Sequence, residues 1–140
     1  MQLELFLISE ELNMLISRMD AKLHFGESGA YGNAGTFASA NVIKLDKAQA
    51  GRMRCEIKQT VAATAGTSVV FAVQGSNDNS SWTTVEESPS VLTASLTAGA
   101  RFSVAVPPSF NYTYIRVAAI GTGNFTAGKF DAWLDVYQGA

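Results

Sequence analysis

The sequence is poor in charge, in cysteine and in histidine, and each shortage excludes a class of function. Charged residues make up 16% of the 140 residues, against about 25% in an average globular protein. The single cysteine, Cys55, cannot form an internal disulfide, and its alternation with Met53 and Ile57 predicts a buried, inert thiol. The single histidine, His24, has no partner histidine or cysteine pair with which to bind a metal. We therefore expect no metal and no cofactor, and a structural role for His24.

Motifs for phosphate binding and for nucleophilic catalysis are also missing. The glycine-rich stretches GESGAYGNAG (26–35) and GTGNFTAG (121–128) do not lead into Lys-Ser/Thr and a helix, so they lack the donors of a phosphate cradle. No nucleophile elbow surrounds any serine. The sequence therefore predicts a protein that is not an enzyme and has no catalytic residues.

Long apolar runs and basic blocks are absent as well. No stretch reaches the length that spans a bilayer, and Glu4, Glu10 and Glu11 lie where a signal peptide would carry basic residues. The formal net charge is −2, and Arg54 and Lys58 fall on alternating positions that are typical of a solvated sheet face. We expect synthesis in the host cytoplasm, with neither a membrane nor a nucleic acid as partner.

The N-terminal third contains one predicted helix followed by a predicted loop. Residues 9–20, SEELNMLISRMD, begin with a capping serine and two first-turn glutamates, and their apolar residues recur at helical spacing. Residues 26–41 are glycine-rich and have no periodicity, which predicts a long loop or arm. We therefore divide the chain into an N-terminal helix and glycine-rich arm (1–41) and a β-sandwich domain (42–140).

From Val42 onward, short alternating segments bounded by turn formers predict about eight strands. The fold class is all-β: an antiparallel sandwich or jelly roll with a short N-terminal helical appendage. Pro107-Pro108 should end a strand after Val106, and Gly121 and Gly123 should flank a turn that Gly128 ends. The predicted core residues are Val69, Phe71, Val73, Phe102, Val104, Val106, Ile115, Val117, Leu134 and Val136.

The last strand, KFDAWLDVY (129–137), separates an apolar face from an amphipathic one. Phe130, Ala132, Leu134 and Val136 share the first face, and Asp131, Trp133, Asp135 and Tyr137 share the second. Two interpretations of the second face stay open. It is a solvated face shielded by two aromatic rings, or a subunit contact centred on Trp133 and Tyr137.

Three segments in a fixed order resemble a known family: QGSNDNSSWTTV (74–85), LTAGARFSVAVPP (96–108) and YTYIRVAAIGTGNFTAG (112–128). The order is similar to that of the small β-sandwich decoration proteins, or cement proteins, of tailed-bacteriophage capsids, and the likeness runs from about Thr36 to Val136. In this motif Ser76, Asp78 and Asn79 form a tight turn and Trp82 packs over the hairpin, while Gly99 takes a positive φ.

The resemblance implies a non-enzymatic virion protein on the capsid exterior that stabilises contacts between major capsid subunits. The implied partners are the major capsid protein and further copies of the chain, as a dimer or a trimer. The candidate contacts with capsid or subunit are Leu5, Phe6, Leu12, Leu15, Ile16, Tyr31, Phe37, Trp133 and Tyr137. A discoidin-like carbohydrate-binding module and a phage tail or baseplate component are the alternatives.

Overall fold

The computed structural model describes residues 23–45 and 53–136, which form an all-β sandwich. The predicted helix at 9–20 lies outside the described residues. The elements are β1 (Gly35–Ala38), β2 (Ile43–Lys44), β3 (Met53–Ala65), β4 (Ser68–Ser76), β5 (Thr83–Glu87), β6 (Val91–Leu92), a short 3₁₀ turn (Thr93–Ser95), β7 (Arg101–Ala105), β8 (Tyr114–Thr122) and β9 (Phe125–Val136).

The strands form two antiparallel sheets. The larger sheet has six strands in the order β1-β8-β4-β5, with β2 added to β8 and β6 added to β4. The smaller sheet has the order β7-β3-β9. Phe71 of the larger sheet stacks on Phe102 of the smaller one with ring centroids 5.0 Å apart, and it meets Phe130 edge to face. These contacts join the two sheets at the centre of the core, and the predicted fold class is confirmed.

Period-2 alternation identified most of the core correctly. In β3, Met53, Cys55 and Ile57 are buried and the residues between them are partly exposed. Eight of the predicted core side chains are buried: Val69, Phe71, Val73, Val104, Val106, Ile115, Val117 and Leu134. Phe102 is only partly buried, and the burial of Val136 lies outside the described residues. Strand β7 ends at Ala105, just before Val106 and the Pro-Pro pair, as predicted.

The glycine-rich arm is built into the sandwich, so its prediction as a loop is wrong over β1. This strand pairs with β8 at the edge of the larger sheet, from Gly35 opposite Gly121 to Ala38 opposite Ala118. The segment before it follows the edge of β9, because Phe25 N donates to Ala132 O at 2.9 Å and Tyr31 N to Gly128 O at 2.8 Å. Residues 23–41 thus form backbone hydrogen bonds with strands of both sheets. These hydrogen bonds cross the predicted boundary at residue 41.

Large aromatic rings fix the arm from the inside. Phe25 is 0% and Tyr31 3% exposed, and the Tyr31 hydroxyl donates to Gln59 Oε1 at 3.0 Å inside the core. Tyr31 also stacks on Phe37, and both rings meet Phe125 edge to face. This cluster could not be predicted from the sequence because irregular glycine-rich spacers, which follow no strand period, separate its aromatic residues.

Gly128 does not end the turn that follows β8. Strand β9 already begins at Phe125, so the turn is confined to Gly123 and Asn124 and Gly128 lies inside the strand. Its φ is +140°, and a Cβ there would come 2.4 Å from Cδ2 of Tyr31. The glycine is needed because a core ring lies directly against the strand backbone.

Candidate binding faces of the sandwich

The two sheets present outer faces of different chemistry. The outer face of the smaller sheet, called here the charged face, carries Arg54, Glu56, Lys58, Arg101, Ser103, Lys129, Asp131, Trp133 and Asp135. The outer face of the larger sheet, called here the Arg116 face, carries Val70, Ala72, Gln74, Trp82, Arg116, Ala118 and Ile120. The Arg116 face also has Lys44, opposite Tyr114, and Glu87, opposite Ala72, toward its edges, so it carries fewer charges than the charged face.

On the charged face, opposite charges lie beside one another. Arg54 pairs in register with Asp135, and Lys58 with Asp131. His24 Nε2 donates to Asp131 Oδ1 at 2.6 Å, and the imidazole stacks on Trp133 with centroids 5.6 Å apart. His24 is thus held by a carboxylate and a ring in a structural arrangement, as predicted.

On the Arg116 face, one arginine is held over one tryptophan. Arg116 Nε donates to Gln74 Oε1 at 2.7 Å, and the guanidinium carbon lies 4.3 Å from the centroid of the Trp82 ring. Gln74, which is 6% exposed, is itself oriented by donating from Nε2 to Thr84 Oγ1 at 3.2 Å. Partial burial lowers the pKa of Arg116 from its ordinary value, although the group remains charged at neutral pH. The arrangement fixes the direction of the guanidinium.

The turn that precedes Trp82 is organised around one carboxylate. Asp78 Oδ1 accepts from Ser81 N at 2.8 Å, from Ser80 N at 2.9 Å and from Ser76 Oγ at 2.9 Å. These donors, the Ser81 and Ser80 amides first, lower the pKa of Asp78 to about 2. Asn79 takes the left-handed conformation at φ 59°, which asparagine tolerates. The predicted turn residues are therefore brought together, and they hold Trp82 at the start of β5.

The structure places the other predicted contact residues in different environments or does not describe them. Tyr31 is wrong as a surface contact, because it is buried against Gly128 and Phe37. Phe37 is half-buried in the same cluster, and Trp133 is half-buried on the charged face. The remaining predicted contacts, Leu5, Phe6, Leu12, Leu15, Ile16 and Tyr137, lie outside the described residues.

Reactive and ligating groups are few within the sandwich. Cys55 is buried as predicted, and burial raises the pKa of its thiol, so the nucleophilic thiolate is disfavoured. Residues 23–45 and 53–136 hold no group of three or more His, Cys, Asp or Glu side chains that could share a metal ion. In the same residues, no helix is long and apolar enough to cross a bilayer.

Residues 29–134 match the family Bbp16, over more than half of the chain. The chain belongs to the Bbp16 family. The Bbp16 match extends from the arm before β1 into β9, so it includes both sheets, the Asp78 turn and Arg116. A search of curated proteins found no match to this Bbp16 chain.

Sequence reasoning did not assign Arg116 and Gln74 to a site. Both residues lie in segments that carry the family resemblance, Gln74 at the start of the Asp78 turn segment and Arg116 in the strand that follows Tyr114, but the sequence does not show that they meet. They meet only because β4 pairs with β8 in a register that sets Gln74 opposite Arg116. An arginine within an otherwise apolar strand was the available signal.

Proposed function

We propose that this Bbp16-family protein is a non-enzymatic structural protein of a tailed-phage virion. It binds the outer surface of the capsid and stabilises contacts between major capsid subunits. The observation that carries the proposal is the ordered set of motifs within one sandwich. The Asp78 turn precedes β5, Gly99 has φ +91° before β7, and Pro107-Pro108 follows β7.

The two-faced sandwich supports a role between protein surfaces. A protein that links neighbouring subunits needs contact surfaces on a rigid body, and both outer faces lie on sheets that share one core. A capsid presents many equivalent sites, so a modest contact per copy is enough when several copies act together. Self-association as a dimer or trimer, which would engage several sites at once, is part of this proposal.

The half-buried Trp82 beside the Asp78 turn favours a second candidate, the discoidin-like carbohydrate-binding module. A partly exposed aromatic ring next to polar groups is a suitable stacking surface for a sugar. However, Arg116 already lies over the Trp82 ring, and Asp78 Oδ1 already accepts three hydrogen bonds within its turn. A sugar would have to displace these contacts, so we prefer the capsid role to the carbohydrate-binding one.

The test is binding to capsids that lack this protein, assembled from the major capsid protein encoded beside it. Full-length protein should co-sediment with intact shells, saturate at a stoichiometry set by the shell's symmetry, and raise the temperature at which shells break. A chain that begins at Ala21 keeps every described residue and tests whether the first twenty residues add affinity. Equal affinity of the two chains would show that the first twenty residues add nothing to binding, and it would leave the capsid role standing.

Two results would contradict the capsid role. One is the absence of shell binding by full-length protein that binds glycans on an array, with loss of glycan binding in Trp82→Ala; this result supports the carbohydrate-binding module. The other is failure to bind shells combined with stable binding to purified tails, which supports the tail or baseplate alternative.

A further inference from the structure

We propose that the Arg116 face is a docking surface for another protein, and that Arg116 and Trp82 form its anchor for a carboxylate of that partner. In naming the major capsid subunit as the source of the carboxylate, we rely on the function proposed above. The partner chemistry itself follows from the contacts of the face.

The guanidinium is oriented in advance and retains hydrogen-bonding capacity. Its Nε is used by Gln74, and its flat side rests on the Trp82 ring. Among residues 23–45 and 53–136, no carboxylate forms an ion pair with it within 4.0 Å. The two terminal nitrogens of an arginine held in this way can donate side by side to one carboxylate.

The two faces differ in what lies opposite their cations. On the charged face, Lys58 and Arg54 each have an aspartate opposite them on β9. Arg116 has uncharged Gln74 opposite it on β4, and the charged residues nearest to it in register are Lys44, opposite Tyr114, and Glu87, opposite Ala72. A partly desolvated arginine without a counter-charge is stabilised when a partner supplies one.

The surroundings of Arg116 suit a protein surface. Next to it, Ala72 and Ala118 lie opposite each other and are 0% exposed, with half-buried Val70 and Ile120 beyond them. The exposed apolar area of this part of the face therefore comes from Val70 and Ile120, and Glu87 lies at its edge, opposite Ala72. An arginine and a tryptophan within a small apolar surround have the composition of an interface hot spot.

The charges favour a carboxylate over a nucleic acid. Binding to a phosphate backbone needs several cations that neutralise successive phosphates. The face has two cations, Arg116 and Lys44, and Glu87 of the edge strand β5 lies opposite Ala72, where it would repel a polyanion. A single oriented guanidinium matches a single acidic side chain.

The first experiment compares matched arginine variants in co-sedimentation with shells. Arg116→Lys keeps the charge and the aliphatic stem but loses the paired donors, and we expect its affinity to fall by about tenfold or more. Arg101→Lys makes the same change on the charged face and should remain within about twofold. Circular dichroism and thermal unfolding of both variants establish that the fold is intact.

The second experiment uses the two tryptophans as reporters of the two faces. Trp133→Phe leaves Trp82 as the single emitter, and Trp82→Phe leaves Trp133. On shell binding, acrylamide quenching of Trp82 should fall, and quenching of Trp133 should change less. This readout does not depend on altering Arg116.

The outcomes separate the inference from the proposed function. Shell binding by the wild type with unchanged affinity of Arg116→Lys, or with protection of Trp133 and not Trp82, overturns the inference and leaves the capsid role standing. Absence of shell binding by the wild type overturns the capsid role and this docking partner together. Dissociation of a self-associated form by Arg116→Lys, or Arg116-dependent binding of a DNA oligonucleotide, would assign the face to another ligand and also overturn the inference.

Discussion

Gly128 is the residue at which backbone and core ring come closest. Any side chain there meets the Tyr31 ring and must also accept a φ of +140°. We expect Gly128→Ala to lower the free energy of unfolding by about 3 kcal/mol, from overpacking and backbone strain combined. Urea denaturation followed by circular dichroism measures this change.

Gly29 supplies the matched control, because a Cβ at that position meets nothing within 4 Å. Gly29→Ala should change the free energy of unfolding by no more than about 0.5 kcal/mol. Equal effects of the two substitutions would show that the Tyr31 ring does not lie against Gly128.

The Tyr31 hydroxyl is a second residue-scale test, since it supplies a hydrogen bond to the fully buried Gln59. Tyr31→Phe leaves Oε1 of that amide without its donor, which should cost about 1–3 kcal/mol. Tyr112→Phe removes a tyrosine hydroxyl for which the described residues supply no hydrogen bond, and it should be nearly neutral. If Tyr31→Phe leaves the free energy of unfolding unchanged in the same denaturation experiment, the buried hydrogen bond between Tyr31 and Gln59 is contradicted.

Asp78 should make the stability of its turn depend on pH. Its pKa is lowered to about 2 in the folded protein by the Ser81 and Ser80 amides and the Ser76 hydroxyl, against about 3.9 in an unfolded chain. The carboxylate therefore contributes stability above the unfolded pKa, and the contribution is lost as the pH falls through the folded pKa.

The measurement is thermal unfolding of wild type and Asp78→Ala between pH 2 and pH 6. Wild type should be more stable than Asp78→Ala at pH 6, and the difference between their melting temperatures should shrink below about pH 4. Asp78→Asn keeps an acceptor oxygen but does not titrate, so its difference from Asp78→Ala should vary little with pH. If the difference in melting temperature between wild type and Asp78→Ala is constant over this range, the ionised Asp78 carboxylate does not stabilise the turn.

At the scale of elements, the arm from residue 23 to residue 41 is expected to be required for folding. A chain that begins at Val42 loses β1, Phe25 and Tyr31, and truncating large aromatic core residues costs about 3–5 kcal/mol each. That loss approaches the whole stability of a typical domain, about 5–15 kcal/mol. The shortened chain should lack cooperative thermal unfolding, whereas a chain that begins at Ala21 should retain it.

Cooperative unfolding of the chain from Val42, at the melting temperature of the longer chain, would contradict this account. It would instead support the division at residue 41 that the sequence predicts.

The strands of the sandwich could be predicted because each carries its own alternation. In β3 and β9, alternate side chains face the core, so Ile57 and Leu134 were recognisable from period 2 alone. The arm could not be predicted in this way, because β1 has only four residues and Phe25 and Tyr31 reach the core from irregular backbone. Their burial depends on edges that β8 and β9 create, which is tertiary information.

The candidate site, too, could be predicted only in part from the sequence. The Asp78 turn was visible because Ser, Asp and Asn stand close together in sequence and their turn chemistry is local. Arg116 and Gln74 are 42 positions apart, and only the register of β4 against β8 brings them together. The docking surface could therefore not be read from the sequence.

At the scale of the whole molecule, the sandwich places acidic and basic residues opposite one another on one side and, on the other, an arginine that has no ion pair with a described carboxylate. If the protein links capsid subunits, the Arg116 face should be the side turned toward the shell. The charged face should then be turned toward solvent or a further copy of the chain. This orientation is a property of the whole sandwich, since the two faces belong to different sheets that share one core.

A cryo-electron microscopy map of shells incubated with saturating full-length protein tests the central claim most directly. We predict additional density on the outer surface at positions fixed by the shell's symmetry, bridging neighbouring major capsid subunits and fitted by the nine-stranded sandwich. An outer surface without added density, in shells otherwise identical to those without the protein, would contradict the account.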